Sequence, residues 1–273
     1  MSSFAYARPD TVAQAVSLVS ADPEASFLAG GTTHLDLILK DAVMQSARLV
    51  DITRLPLRHV SYSDDMLRVG ALVTMEQLAA DPVVAQRVLF VREALLASAS
   101  TQLRNIATIG GNLLQRTRCR YFRDRTVTAC NKRSPGSGCA AVTGTARMHA
   151  ILGASEHCIA VHASDLCVSL VALDAKIHIE GPRGARTVPI NEFYVLPDAR
   201  PDIEKVRARR AHHRNRDTAP STRRDVGVPE SQGPRVVRVC ADPRRGRSAD
   251  RQGHHHAHTR RSRRRGHHTV ERA

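Results

Sequence analysis

The sequence runs to 273 residues with a formal net charge of +15, enough chain for one large domain or two modest ones with real cores. The charge is unevenly placed: residues 1–205 hold 22 Lys and Arg against 20 acids, while residues 206–273 hold 19 Arg, no Lys and 6 acids. That last quarter lacks Leu, Phe, Tyr, Met and Trp, which excludes a packed core of its own, and no run anywhere approaches the length of a membrane span.

The opening "MSSFAYARPDTVAQAV" has no charged segment followed by an apolar one, so no signal peptide is expected. "TVAQAVSLVS" places apolar residues at helical spacing, with Thr11 as the expected N-cap. "SFLAGGTTHLDLILK" reads as a short strand, a glycine turn and a new helix, and "ARLVDIT" as a further strand. This order suits a small α/β layer over residues 1–55. "MLRVGALVT" carries a strand-pair signal, and "TMEQLAADPVVAQRVLFVREALLASAS" is helical with a break near Pro82. After the glycine-rich "TIGGNLL" comes a polar, cysteine-bearing loop from 116 to 158. "CIAVHASDLCVSLVALDAKIHIEG" reads as strand, helix and strand, and "RTVPINEFYV" closes the patterned region. Hydrophobic periodicity stops after about Lys205, so residues 205–273 are expected to be a disordered basic tail.

"LAGGTTHL" (Leu28–Leu35) and "TIGGNLL" (Thr108–Leu114) each set Gly-Gly beside hydroxyl or amide side chains. Paired glycines let backbone N–H groups turn towards one anion, and a diphosphate fits such loops. Each pair alone is equally consistent with a plain turn, and neither has the spacing of a Rossmann or P-loop motif. Arg104, Asn105, Arg116 and Arg118 flank the second pair and either set its local charge or form a solvated face. Asp165, in "SDLCVSLVALDA", reads locally as a helix N-terminal carboxylate.

Cys119, Cys130, Cys139 and Cys158 are separated by ten, eight and eighteen residues, which is not the spacing of a zinc ribbon or a ferredoxin. By spacing alone such thiols are more often incidental than ligands. Their surroundings, rich in Gly, Pro and Arg, are nevertheless an odd place for Cys as a small hydrophobe, and a cationic setting favours thiolates and an anionic cluster. Cys167 lies in an apolar run and reads as core; Cys240 carries no reading.

Taken together and in order, the two glycine motifs and the Ser-Asp segment resemble the FAD-binding medium subunit of the molybdenum hydroxylases. That is the xanthine dehydrogenase, carbon monoxide dehydrogenase and aldehyde oxidoreductase group. The resemblance covers residues 1 to about 204. It implies an α+β fold of the vanillyl-alcohol-oxidase (PCMH) type in two subdomains, 1–55 and 56–204. It implies FAD held by Ser26, Phe27, Leu28, Ala29, Gly30, Gly31, Thr32, Thr33 and His34, by Thr108, Ile109, Gly110, Gly111 and Asn112, and by Arg118 and Asp165. The cysteine stretch is similar to an insertion in periplasmic aldehyde oxidoreductases, which implies a [4Fe–4S] cluster on Cys119, Cys130, Cys139 and Cys158. The implied activity is electron transfer from Fe–S clusters to FAD. The implied partners are a molybdenum-cofactor large subunit and a [2Fe–2S] small subunit, in the cytoplasm or in the periplasm by co-export. No acid/base pair or nucleophile is read, and no specific nucleic-acid partner.

At Pro201–Glu204 the resemblance stops, and "KVRARRAHHRNRDTAP" follows. Back-translated with permitted codons and read one nucleotide later, Arg207–Pro220 can give "APGELITAIETLP". Val228–Asp242 can give "YLKVRDRASYAFALI", and His258–Arg272 "TRVALGGVAIIPW". All three look like the family's C-terminal domain, in order and in one shifted frame. The expectation is therefore a frameshift product whose His run is not a metal site, though an arginine-rich tail would still bind polyanions non-specifically. Other readings are an inactive truncated product and a basic-tailed polyanion-binding protein.

Overall fold

Thr11 accepts from the Gln14 amide at 3.1 Å and so starts the first helix where the spacing predicts it. In the computed structural model, which describes residues 4–198, 200–202, 204 and a strand at 236–241, this helix is α1 (Val12–Ala21). It connects β1 (Ala5–Ala7) to β2 (Ala25–Leu28), and β3 (Arg48–Asp51) then runs between them in a parallel sheet of order β1-β3-β2. Ala15, Val16 and Val19 of α1 pack on Val50, Ile52, Leu55, Leu57 and Leu72, forming one core cluster. The helix expected after the glycine turn is present, and its Asp36–Lys40 portion is wound as a π-helix.

β4 (Val60–Ser63) and β5 (Met66–Val69) form an antiparallel hairpin. The turn residues Asp64 and Asp65 both have positive φ, +52° and +57°, as a tight two-residue turn requires. The strand pair expected within "MLRVGALVT" is therefore corrected: its second half is not strand, and the partner lies upstream. The helical stretch breaks into α2 (Met75–Ala80), α3 (Pro82–Arg87) and α4 (Leu89–Ala97). Pro82 sits at the first turn of α3, where its missing N–H costs nothing, and Asp81 caps the Val83 and Val84 amides.

Short helices follow: α5 (Thr101–Arg104), α6 (Ile109–Leu114), α7 (Arg120–Arg123) and α8 (Ala140–Thr143). Then come α9 (Asp165–Ala172), β6 (Lys176–Gly181), β7 (Gly184–Pro189) and α10 (Ile190–Phe193). No strand precedes α9 in the Cys158–Ala163 stretch, which corrects the first member of that expected trio. A second core cluster joins Leu67 and Val69 of the hairpin to α2, α4, α6, α9 and β6, with Phe193 fully buried in it.

The expectation of a disordered tail is corrected at one segment. Val236–Ala241 forms β8, which completes a five-stranded sheet of order β4-β5-β8-β6-β7, antiparallel to both β5 and β6. The edges of β5 and β6 present unpaired backbone groups, and a segment with three Val in six residues satisfies them without needing Leu or an aromatic residue. The rest of the tail, with its His run and most of its arginines, lies outside the described residues. Among the described residues no helix is long and apolar enough to cross a membrane. The architecture is α+β.

Candidate functional site

The two glycine motifs meet across one cleft. The chain leaves β2 at Leu28, whose carbonyl accepts from the Ile52 amide at 2.9 Å, and turns through Ala29–Thr33. Gly31 takes φ +71°, in the left-handed region that favours glycine. Gly30 runs so close to the turn before α6 that a Cβ there would lie 2.1 Å from the Ile106 carbonyl oxygen. The backbone then coils at once: Leu35 donates to Gly31 at 2.9 Å and Leu37 to Thr33 at 3.1 Å. The amides of Thr32, Thr33 and His34 are thus first-turn donors, and among the described residues nothing accepts from them. Such donors at the positive end of a helical turn are suited to an anion.

The second pair behaves differently. "TIGGNLL" is not a loop but the start of α6, capped by Thr108, whose Oγ1 accepts from the Gly111 amide at 3.2 Å. Ile109 donates to Val73 O, Gly110 to Ala71 O and Asn112 to Thr108 O, at 2.8–2.9 Å. The expectation that this pair also offers backbone donors is corrected: its amides are already engaged. Glycine is needed here for approach, because a Cβ on Gly110 would sit 3.0 Å from Ala71.

Between them lies a cleft of about 620 Å³. It is lined by Phe27, Ala29, Gly30, Gly31, Thr32, Thr33 and His34 from the first motif and by Thr108, Gly110, Gly111 and Asn112 from the second. Arg118 lines it as well, exposed and with no protein partner among the described residues. Ser26, Leu28, Ile109 and Asp165 are not part of the lining. Ser26 sits behind His34, with Oγ 2.8 Å from Nε2. Asp165 is the first residue of α9 and accepts from the Ser98 hydroxyl at 2.9 Å, while Ser98 itself lines the cleft. Ser98, Met75, Leu103 and Ala163 are among the other residues of the walls; sequence reasoning missed them because they carry no local motif.

Arg104, expected on the flank of the cleft or on a solvated face, is in fact buried at 8% exposure. Its guanidinium pairs with Glu76 at 2.7 Å and donates to the Leu96 and Ala99 carbonyls and to Thr101, so it clamps α2, α4 and α5 together. Asn105 donates to Thr101 O at the surface. Arg116 lines the cleft with its guanidinium 5.0 Å from the Phe122 ring centroid and 2.7 Å from Glu204. The other Glu204 oxygen takes Lys132, from the cysteine segment, at 2.9 Å.

That segment is tightly organised. Cys130 and Cys139 face each other across an isolated antiparallel bridge. Buried Asn131 accepts from the Gly136 and Gly138 amides and donates to the His157 carbonyl at 2.9 Å, tying the turn to the 155–158 turn that carries Cys158. Arg133 donates to the carbonyls of Tyr121, Phe122 and Val127. Burial pushes the Cys119 and Cys158 thiols up, against backbone N–H donation from Phe122 and Tyr121 to Cys119 and from Ala160 to Cys158. Cys119 lies within electrostatic reach of Cys130 and Cys139, and Cys158 within reach of Cys139 and Cys119. Cys119 Sγ is 3.2 Å from His149 Nε2. Among the described residues no three His, Cys, Asp or Glu side chains close around a single metal ion. Cys167 is buried in α9 and 3.0 Å from the Tyr194 hydroxyl, a core position as expected.

Residues 2–207 match the family model described as the FAD binding domain in molybdopterin dehydrogenase. The chain is 46% identical over 206 residues to the aldehyde oxidoreductase FAD-binding subunit PaoB of Escherichia coli K12, covering 75% of this chain and 64% of that one. It is 31% identical to the putative xanthine dehydrogenase FAD-binding subunit XdhB of the same organism, covering 70% and 51%. The chain therefore spans between half and two thirds of these relatives. In fold it is similar to quinoline 2-oxidoreductase from Pseudomonas putida 86, with TM-score 0.53 and 23% identity over 88% of this chain and 59% of that one. Carbon monoxide dehydrogenase from Hydrogenophaga pseudoflava gives the same TM-score and coverage at 21% identity.

Proposed function

The chain belongs to the FAD-binding domain family of molybdopterin dehydrogenases, and from that premise we propose that it is the electron-transfer flavoprotein subunit of a molybdenum-containing aldehyde- or xanthine-type oxidoreductase. The observation that carries this reading is the cleft whose glycine turn leaves the Thr32, Thr33 and His34 amides without protein acceptors. These donors hold the diphosphate. Arg118, exposed in the cleft lining, adds charge, and the second glycine pair contributes a smooth wall on which the ligand can lie. Asp165 acts through Ser98 at the far wall. FAD supplies the electron exchange; the residues around it bind, orient and exclude water. Partners are a molybdenum-cofactor large subunit and a [2Fe–2S] small subunit.

We assign a second cofactor, a [4Fe–4S] cluster, to Cys119, Cys130, Cys139 and Cys158. The bridge that sets Cys130 opposite Cys139, the electrostatic reach of Cys119 and Cys158 to the other thiols named above, and the N–H donation to Cys119 and Cys158 support it, since such donors stabilise thiolates against a cluster. Residues from about 206 are read as an out-of-frame product, in keeping with a family match that stops at 207.

Purified chain should show a flavin spectrum after FAD titration and, after anaerobic reconstitution, about four irons per chain. Failure of both the chain and its frame-restored form to bind flavin would overturn the flavin reading; absent iron would remove the cluster alone.

A further inference from the structure

His34 lines the cleft just beyond the glycine turn, half-buried, with its Nε2 2.8 Å from Ser26 Oγ. Ser26 Oγ is in turn 2.7 Å from Ser46 Oγ. Ser46 Oγ faces two carbonyls, Glu24 at 3.1 Å and Arg48 at 2.9 Å. Carbonyl oxygens only accept, so the single Ser46 hydroxyl hydrogen goes to the nearer of them, Arg48 O, since Glu24 O already takes the Ala47 amide. Ser46 Oγ must then accept from Ser26, and Ser26, its own hydrogen used, accepts from His34. The proton on His34 is thereby placed on Nε2.

The other ring nitrogen has no protein partner among the described residues, and it is not among the buried atoms that lack one. It is therefore reached from the open side of the ring, where the cleft lies. Burial lowers the His34 pKa, which favours the neutral ring. Nδ1 thus offers a lone pair. A diphosphate oxygen cannot answer a lone pair, because it too only accepts. A sugar hydroxyl can, and sugars flank the diphosphate of a flavin dinucleotide on both sides.

Resting on the flavin reading of the cleft, we infer that His34 is a specificity-determining residue whose Nδ1 accepts a hydrogen bond from a sugar hydroxyl next to the diphosphate, with Ser26 and Ser46 fixing its tautomer from behind. Ser26 is then a positioning residue.

Two measurements on the full chain test this. Ring nitrogen shifts of ¹⁵N-histidine protein, with the His34 signal among 14 His identified by its loss in His34→Gln, should show a neutral Nε2–H ring at pH 7. FAD, FMN and ADP titrations should show His34→Phe weakening FAD roughly tenfold, as loss of one hydrogen bond implies. His34→Gln, which keeps an acceptor, should retain most of the affinity. The fragment that weakens with FAD identifies the sugar, ribityl for FMN or ribose for ADP. Ser26→Ala should leave the fold intact and populate the Nδ1–H tautomer. An Nδ1–H or charged ring in the unaltered chain, or FAD affinity equal in His34→Phe, overturns the inference while leaving flavin binding in place. Failure of the unaltered chain and its frame-restored form to bind FAD would instead remove the flavin reading itself.

Discussion

Gly30 and Ile106 are in backbone contact: the Cα hydrogen of the glycine points at the Ile106 carbonyl, with 2.1 Å left for any Cβ. This contact locks the first glycine turn against the segment that leads into α6, so the cleft's width depends on it. Gly30→Ala should force the two motifs apart, at about 1–3 kcal/mol of stability. Flavin affinity should fall by more than tenfold, as read by fluorescence quenching on titration. An alanine variant with unchanged midpoint and affinity would show that the turn yields without consequence.

Asp51 sits buried at the end of β3 and collects Arg8 at 2.7 Å, the Tyr6 hydroxyl and the Thr53 amide at 2.8 Å. Burial alone would raise its carboxyl, but the hydrogen bonds from Tyr6, Thr53 and Arg8 outweigh it and hold the group well below the usual carboxylate range. The folded pKa is depressed, so the stabilisation is present above the unfolded carboxylate pKa and is lost as pH falls towards the folded value. Asp51→Asn should cost about 2–3 kcal/mol at pH 7 in urea unfolding. The gap to the unaltered protein should narrow progressively below pH 4. A gap that is independent of pH would exclude the ionised carboxylate as its source.

The cysteine segment gives a separable prediction. Cys139→Ser should lose most reconstituted iron while flavin binding persists, because Cys139 is absent from the cleft lining. Asn131→Ala should lower iron content too, since Asn131 joins the 136–138 turn to the His157 carbonyl. Iron analysis alongside the flavin spectrum checks both. Unchanged iron in Cys139→Ser would contradict its role as a ligand.

Glu204 is shared by Arg116 at the cleft and Lys132 in the cysteine segment, with all three side chains under 20% exposed. Removing one member of such a set leaves desolvated charges without their partner. Glu204→Ala should therefore destabilise the protein by about 3 kcal/mol, and Glu204→Gln by less. Thermal unfolding under conditions of matched salt measures the difference.

Restoring the reading frame by one nucleotide after residue 205 should strengthen flavin binding and permit co-purification with the molybdenum and [2Fe–2S] subunits. Equal FAD affinity in the 273-residue chain would remove the functional weight of the altered tail. Resequencing the gene across this region tests the frameshift itself.

Local signals in the sequence determined the helix caps at Thr11, the break at Pro82, the turn at Gly30–Gly31 and the α+β order, because each depends on neighbours within one or two turns of chain. The two glycine motifs, with their adjacent hydroxyls, were enough to mark where the cleft would be. What each motif does in the cleft was decided only in three dimensions. The amides of the second pair are taken up by Ala71 and Val73, and Arg104 is drawn inside by Glu76 and the carbonyls of Leu96 and Ala99. Ser98 reaches Asp165 across 67 residues, and β8 enters the sheet although its surrounding composition argues for disorder. A short window of sequence states which groups are available to donate or accept. Which partner each group finds, and so which donors are left for a ligand, is settled by contacts between distant segments.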